Sequence, residues 1–262
     1  MRQIPYSIIV LLLLWTTVPA QKEPTLSLQK GKQTFFDFRL ERSYDSAKIP
    51  AKTERTILSK IFKTYLTDSA RCNANFDSSS GTDPLKAARD AGQIVPTIAD
   101  VATGSFTAPG QAETLYVISV SECTASHADN FGTKRVAIFS GQQLVLDADI
   151  DFRSSVVLKS DLDGDGLNEL LMTSGDMSQG TLTEMAILVG FKGAKVKVIE
   201  DFGTVTLDSC ASGLPGTDAK ASLLSISDVS PGQMPKFHID NYSSRCKGAR
   251  RWKFLSSGKM PD

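Results

Sequence analysis

The sequence predicts a mainly β protein, a propeller-like array of about three antiparallel β repeats that follows a small N-terminal strand–helix region. Two observations favour this fold. From about Ile98 the apolar residues follow the two-residue period of strands, and similar strand–turn segments recur along the chain. The 262 residues, 41% hydrophobic and 22% charged, suffice for one large domain or two small ones. With 29 basic and 29 acidic residues there is no global field to attract nucleic acid or an anionic membrane.

The first twenty residues predict a secretory signal peptide that is cleaved after Ala20. Arg2 supplies a positive charge, residues 8–18 form an apolar core, and Val18-Pro19-Ala20 provides small residues for cleavage. The apolar core is short for a membrane span, although an uncleaved anchor is the alternative. The mature protein, without a membrane span, is therefore expected to be secreted or periplasmic.

Four cysteines lie beyond the signal segment, and four is an even number, as expected for disulfides in an oxidising compartment. No two of them lie within four residues of each other, which is unlike a zinc motif. Three connectivities are possible. Sequential pairing, Cys72 with Cys123 and Cys210 with Cys246, is favoured because it links neighbouring segments.

Residues 21–97 form the predicted strand–helix region. Residues 34–43 are predicted to be a strand, and Pro50 begins a helical pattern with apolar residues on one side and charged residues on the other. Asp83 is placed to cap a short helix that has Pro84 in its first turn and Gly92 after its end.

The β-repeat domain is predicted over 98–262, with repeats at about 98–152, 155–210 and 222–262. Residues 105–117 align without a gap on 161–173, placing Gly110 on Gly166 and Glu113 on Glu169. The following segments, 136–152 and 185–202, are both predicted hairpins around a glycine. A weaker third copy covers 227–240. Such repetition is typical of arrays in which each unit buries its face against the next. Chance similarity is the alternative, and the pattern leaves open whether the array closes into a ring.

The segment KSDLDGDGLNELLM, residues 159–172, crowds carboxylates into one glycine-containing turn. Like charges this close repel each other unless they face open solvent or share a cation. Calcium takes six to eight oxygen ligands, and acids at alternating positions of a tight turn converge on one point. The predicted ligands of one calcium ion are the side chains of Asp161, Asp163, Asp165 and Glu169 and the carbonyl of Leu167. A solvated turn without an ion is the alternative.

An EF-hand is not predicted, because its closing glutamate occupies position twelve of the loop, where this chain has Met172. Glu169 occupies position nine and leads into a strand. That arrangement resembles the calcium loops of FG-GAP and VCBS repeats, the blades of integrin-like β-propellers, sharply over 161–171 and loosely over 98–262. Those families commonly have aspartate at position nine, so Glu169 is a departure. The equivalent positions of the first copy, Ser105, Thr107 and Pro109, indicate a version without metal.

Other polar clusters have simpler interpretations. The alternating acids Asp147, Asp149 and Asp151 could form a second cation site, although a solvated strand face is favoured. A basic stretch at 245–253 could engage an acidic glycan or phosphate, although an exposed edge strand that resists aggregation is favoured.

The predicted function is that of an exported calcium-binding β-repeat protein with a structural or binding role and an unknown protein or glycan ligand. The alternative is a secreted hydrolase that uses the repeat scaffold, with His127 and nearby acids as its site. No catalytic residues are assigned, because neither His127 nor His238 occurs in a metal-binding helix motif or a nucleophile elbow.

Overall fold

The structure is a computed structural model that describes residues 31–40, 48–73, 75–76, 83–123, 133–150, 155–193, 195–212 and 217–260. The predicted signal peptide, His127 and Asp151 lie outside these residues. Within these ranges, two α-helices, α1 (Ala51–Ile61) and α2 (Pro84–Asp90), and two short 3-10 helices (Ser69–Arg71 and Cys210–Ser212) accompany twelve strands. The strands are β1 (Gln33–Asp37), β2 (Ile94–Gly104), β3 (Glu113–Glu122), β4 (Thr133–Ser140), β5 (Gln143–Ile150), β6 (Ser155–Ser160), β7 (Glu169–Ser178), β8 (Thr181–Lys192), β9 (Lys195–Asp208), β10 (Asp218–Ser227), β11 (Lys236–Arg245) and β12 (Lys253–Ser257).

The predicted mainly β class is confirmed, and all the strand pairs are antiparallel. Strands β2 to β5 form a four-stranded sheet in chain order. The second sheet has eight strands, of which seven lie in the order β12-β11-β10-β9-β8-β7-β6, while β1 pairs with β10. Strand β10 therefore meets two partners on one edge, the end of β9 at 219–221 and β1 at 223–226. Strands β2 and β10 each begin four residues before the repeat starts expected at 98 and 222.

The N-terminal elements agree with the sequence prediction. The strand predicted at 34–43 corresponds to β1, which begins one residue earlier and ends at Asp37, where a turn at 38–40 follows; residues 41–43 lie outside the described residues. Helix α1 begins directly after Pro50. Helix α1 buries Ile57 and Leu58 because its apolar positions recur at helical spacing. Helix α2 is capped by Asp83, whose Oδ1 accepts a hydrogen bond from Lys86 N at 2.9 Å. These contacts place both helices beside the first sheet.

Three buried clusters form the hydrophobic core. One fills the space between the two sheets, with Phe106 and Phe191 in edge-to-face contact at 5.7 Å between ring centroids. A second lies on the other side of the eight-stranded sheet around Phe202, and a third packs α1 and α2 against the first sheet. Because the strands of the first sheet bury apolar residues on both faces, helices and sheet together enclose it.

The two predicted disulfides, Cys72–Cys123 and Cys210–Cys246, are both present, so the expected sequential pairing is confirmed. They account for all four cysteines of the chain. Two disulfides indicate an oxidising, extracellular environment. In the part of the chain that the structure describes, neither helix has the length and apolarity needed to cross a membrane.

Candidate metal centre in the acidic turn

The acidic turn, residues 161–168, connects β6 to β7. Its aspartates hold the backbone by local hydrogen bonds. The two carboxylate oxygens of Asp161 accept from Gly164 N and Gly166 N at 2.8 and 3.0 Å. Gly164 and Gly166 have φ angles of 75° and 87°, a region that glycine adopts without steric cost. Asp161 is therefore the residue around which the turn winds.

Glu169 begins β7 and is buried, with 6% of its surface exposed. Its Oε2 accepts a hydrogen bond from Leu162 N at 2.8 Å, which aims the carboxylate back into the turn. Burial raises the pKa of Glu169 to about 7, and the charges of Asp163, Asp165 and Asp161 add to the rise against the lowering effect of the Leu162 N–H. Burial therefore disfavours the ionised form of this carboxyl, and a proton or a nearby cation would offset that cost.

Three of the predicted ligands come together. Ligand oxygens of Asp161, Asp163 and Glu169 all lie within 4.8 Å of one another. Asp165 lies outside that group and is exposed, and its Oδ1 accepts from Leu167 N at 2.8 Å. Oxygens this far apart can share one ion, because each metal–oxygen bond to calcium is about 2.3–2.6 Å long. The arrangement is a concave, negatively charged site in which Glu169 is buried and Asp161 and Asp163 are partly exposed.

The first turn, residues 105–112 between β2 and β3, shows what the same geometry does without acids. Glu113, 2% exposed, begins β3, and its Oε2 accepts from Phe106 N at 2.6 Å and Thr107 N at 2.8 Å. The hydroxyl of Thr107 donates to the other carboxylate oxygen, Oε1. Glu113 and Glu169 thus occupy equivalent positions in the two turns. Each accepts a hydrogen bond from the backbone N–H of the residue seven positions earlier in the chain. The sequence alignment pairs Thr107 with Asp163, which has no proton to donate when ionised.

The acidic turn also contacts the neighbouring turns. Asn168 donates from its N–H to Ser105 O at 2.6 Å and accepts from Ser105 N at its Oδ1 at 2.9 Å. A Cβ on Gly104 would stand 2.5 Å from that Oδ1, so only glycine permits this approach. On the other side, Gly232 N donates to the carbonyl of Asp163. Sequence analysis missed these contacts, because nothing in the local pattern indicates which turns meet.

The second acidic run already has a cation of its own. Arg135, 8% exposed, lies between Asp147 and Asp149, with contacts of 2.7 and 2.5 Å. Arg89 also approaches Asp149 at 3.6 Å. The sequence favours a solvated strand face for these acids, and the structure adds that arginine side chains form ion pairs with Asp147 and Asp149. His238 Nε2 lies 2.8 Å from the hydroxyl of Ser227, at the end of β10.

Comparisons with known proteins place the chain in no family: no family model matches it, and no similar curated protein or solved structure was found.

Proposed function

We propose that this is an exported calcium-binding protein of the FG-GAP and VCBS type, in which one ion stabilises a propeller-like array of three repeats. The ion is bound by Asp161, Asp163 and Glu169, and the ligand set is completed by Asp165 and the carbonyl of Leu167. The role of the protein is structural or binding rather than catalytic.

The observation that carries the proposal is the difference between the two glutamate turns. Glu113 lies among hydrogen-bond donors, including the hydroxyl of Thr107. Glu169 has Leu162 N at one oxygen but faces the carboxylates of Asp161 and Asp163. A divalent cation at that point replaces the missing donor and converts repulsion between the carboxylates into attraction to a common centre.

The repeat interpretation is supported by parallel geometry. Three strand–turn–strand units, β2–β3, β6–β7 and β10–β11, each contain a turn glycine with positive φ, namely Gly110, Gly166 and Gly232. The units β2–β5 and β6–β9 both continue into a hairpin. Through Ser105 and Gly232 the acidic turn is hydrogen-bonded to the turns of the other two units. An ion that orders the acidic turn therefore stabilises the junction of all three.

The proposal is tested by thermal unfolding with about 10 mM calcium and with a chelator, a concentration well above the 10⁻⁴–10⁻³ M dissociation constants typical of extracellular sites. That concentration is about ten to a hundred times such a constant, so a ligand that binds only the folded state adds about 1.4–2.7 kcal/mol, a rise in Tm of about 3–10 °C. Asp163→Ala should remove most of this rise. The control is Asp176→Ala, which removes an exposed carboxylate of β7 and should leave the calcium response intact. Identical wild-type curves in calcium and chelator would mean that the acids form only a solvated turn.

A further inference from the structure

Positive charge is concentrated at one hairpin of this otherwise neutral chain. Between residues 245 and 253 there are five basic and no acidic residues, which leaves 24 basic against 29 acidic residues elsewhere. We call these five the basic hairpin cluster: Arg245, Lys247, Arg250, Arg251 and Lys253. They occupy the end of β11, the connection to β12 and the first residue of β12.

The cluster is held on a rigid support. Cys246 is joined to Cys210, which ties the connection to the segment that follows β9. Arg251 N donates to the hydroxyl of Ser244 at 2.9 Å, closing the connection across its base. Lys253 pairs with Ser243 in the β11–β12 ladder. Because the backbone is fixed in this way, the conformational entropy lost on binding is confined to the side chains.

The charge of the cluster exceeds that of the acids beside it. Arg250 forms an ion pair with Asp208, and Asp218 stands opposite Arg245 in the β10–β11 register. These two acids leave an excess of three positive charges on the cluster. All five basic side chains of the cluster belong to exposed residues. Exposed charges of one sign attract anions to the surface that carries them.

Two features favour a polymer of anionic sugars over an added peptide strand. Strand β12 is the last strand of its sheet, but Leu255 has no partner in the β11 register, forming a bulge, and Lys253 lies on the same edge. Bulges and lysines on an edge hinder pairing with a further strand. Within the cluster, the ring centroid of Trp252 lies 5.7 Å from the guanidinium of Arg250, and Phe254 of β12 is 61% exposed. Aromatic rings next to fixed cations offer both an apolar surface and anion contacts.

We propose that the basic hairpin cluster binds a linear acidic polysaccharide, whose sulfate or carboxylate groups bridge Arg245, Lys247, Arg251 and Lys253. The two disulfides indicate an extracellular environment, and acidic polysaccharides are found there. This site is separate from the acidic turn and does not require calcium.

The test is isothermal titration of the full chain in chelator with heparin, a sulfated polymer, and with alginate, a carboxylated one. Neutral dextran and polyglutamate are the comparison ligands. Binding of heparin, alginate or both is expected, weakening as salt rises because exposed charges are screened. Lys247→Gln combined with Arg251→Gln should weaken binding about tenfold or more, since two of the four cations that contact the anionic groups are removed. Binding of heparin alone assigns the site to sulfate, and binding of alginate alone assigns it to carboxylate.

The matched control is Lys192→Gln combined with Lys195→Gln, which removes the same charge from the exposed turn between β8 and β9. It should change binding less than twofold. Three results would overturn the proposal: no binding of either acidic polymer at low salt, equal losses in the cluster variant and the control, or tighter binding of polyglutamate than of both polysaccharides. Because the measurement is made in chelator, none of these results bears on the calcium site.

Discussion

Replacing Asp163 with threonine should make the acidic turn stable without calcium. In the first turn the hydroxyl of Thr107 donates to Glu113, whereas Asp163 places a second carboxylate near Glu169. Asp163→Thr therefore removes one negative charge and supplies one donor at the aligned position. The backbone can accept the change, because Asp163 Oδ1 contributes only a 3.2 Å bond from Asp165 N to the turn.

The size of the effect follows from the environment of Glu169. Burial is the largest cause of its raised pKa of about 7, and the charge of Asp163 is a smaller one. The variant therefore recovers only part of the cost of ionising this carboxyl at neutral pH. Adding a hydrogen bond to a charged group contributes about 1.5–3 kcal/mol in favourable cases, and exposure of the turn reduces this. We expect a gain of about 1–2 kcal/mol in chelator and loss of most of the calcium-dependent stabilisation.

Chemical denaturation in chelator and in calcium measures both quantities. Two matched variants define the reference: Asp176→Thr makes the same replacement on exposed β7, and Thr107→Asp makes the reverse replacement in the first turn. The former should change stability by less than about 0.5 kcal/mol, while the latter should destabilise by about 1–2 kcal/mol. If Asp163→Thr unfolds at lower denaturant than wild type in chelator, or keeps the full calcium response, the comparison of the two turns is wrong.

Three further predictions concern pH, the second disulfide and the junction of the turns. In chelator, the unfolding free energy of wild type relative to Glu169→Gln should fall by roughly 1–3 kcal/mol as pH rises from 4.5 to about 7. The reason is that the carboxyl of Glu169, whose pKa is higher in the folded state, binds more protons there than in the unfolded state over this pH range. Denaturant melts at several pH values measure this difference, and a difference that does not change with pH would contradict it. Replacing Cys210 and Cys246 with serine should lower the unfolding free energy by about 3–4 kcal/mol, because the unfolded chain is no longer closed into a loop with a sequence separation of 36. The loss is measured as a lower Tm, and an unchanged melting curve would contradict the prediction. Asn168→Ala should lower the unfolding free energy by about 1–2 kcal/mol in denaturant melts, because Ser105 N loses its hydrogen-bond acceptor. Asn168→Asp keeps an acceptor oxygen and should lower it less. Equal losses of stability in the two variants would show that this hydrogen bond is unimportant.

Local signals in the sequence were sufficient for the elements that depend on local physics. The helical spacing of apolar residues that include Ile57, Leu58 and Ile61 predicted α1, and the side chain of Asp83 with Pro84 predicted α2. The sequential disulfide pairing was predicted from the rule that neighbouring segments of the chain are linked. The helix inferences needed only a few adjacent residues, whereas the two disulfides join residues 51 and 36 positions apart.

Contacts between distant segments were beyond the sequence. The pairing of β1 with β10 joins residues almost two hundred positions apart, and no periodicity encodes it. The acids at 161–169 were identified from their spacing, yet Asp165 lies outside the group that Asp161 and Asp163 form with Glu169. The alternating pattern indicates which residues could converge, whereas the left-handed glycines decide which of them do.

The hydrogen bonds of the acidic turn to its neighbouring turns predict that an ion bound there would stabilise more than its own turn. Its carbonyl at Asp163 and its amide at Asn168 are bonded to the two flanking turns, so the turn cannot open without breaking both contacts. An ion bound in this turn would therefore act on three connected turns rather than on one. Calcium bound there would raise the stability of the flanking units along with its own. Loss of the ion should therefore lower the amide protection of Ser105 and Gly232 together, which hydrogen exchange in calcium and in chelator would measure. If exchange changes only within residues 161–169, the ion stabilises its own turn and the coupling of the three units is refuted.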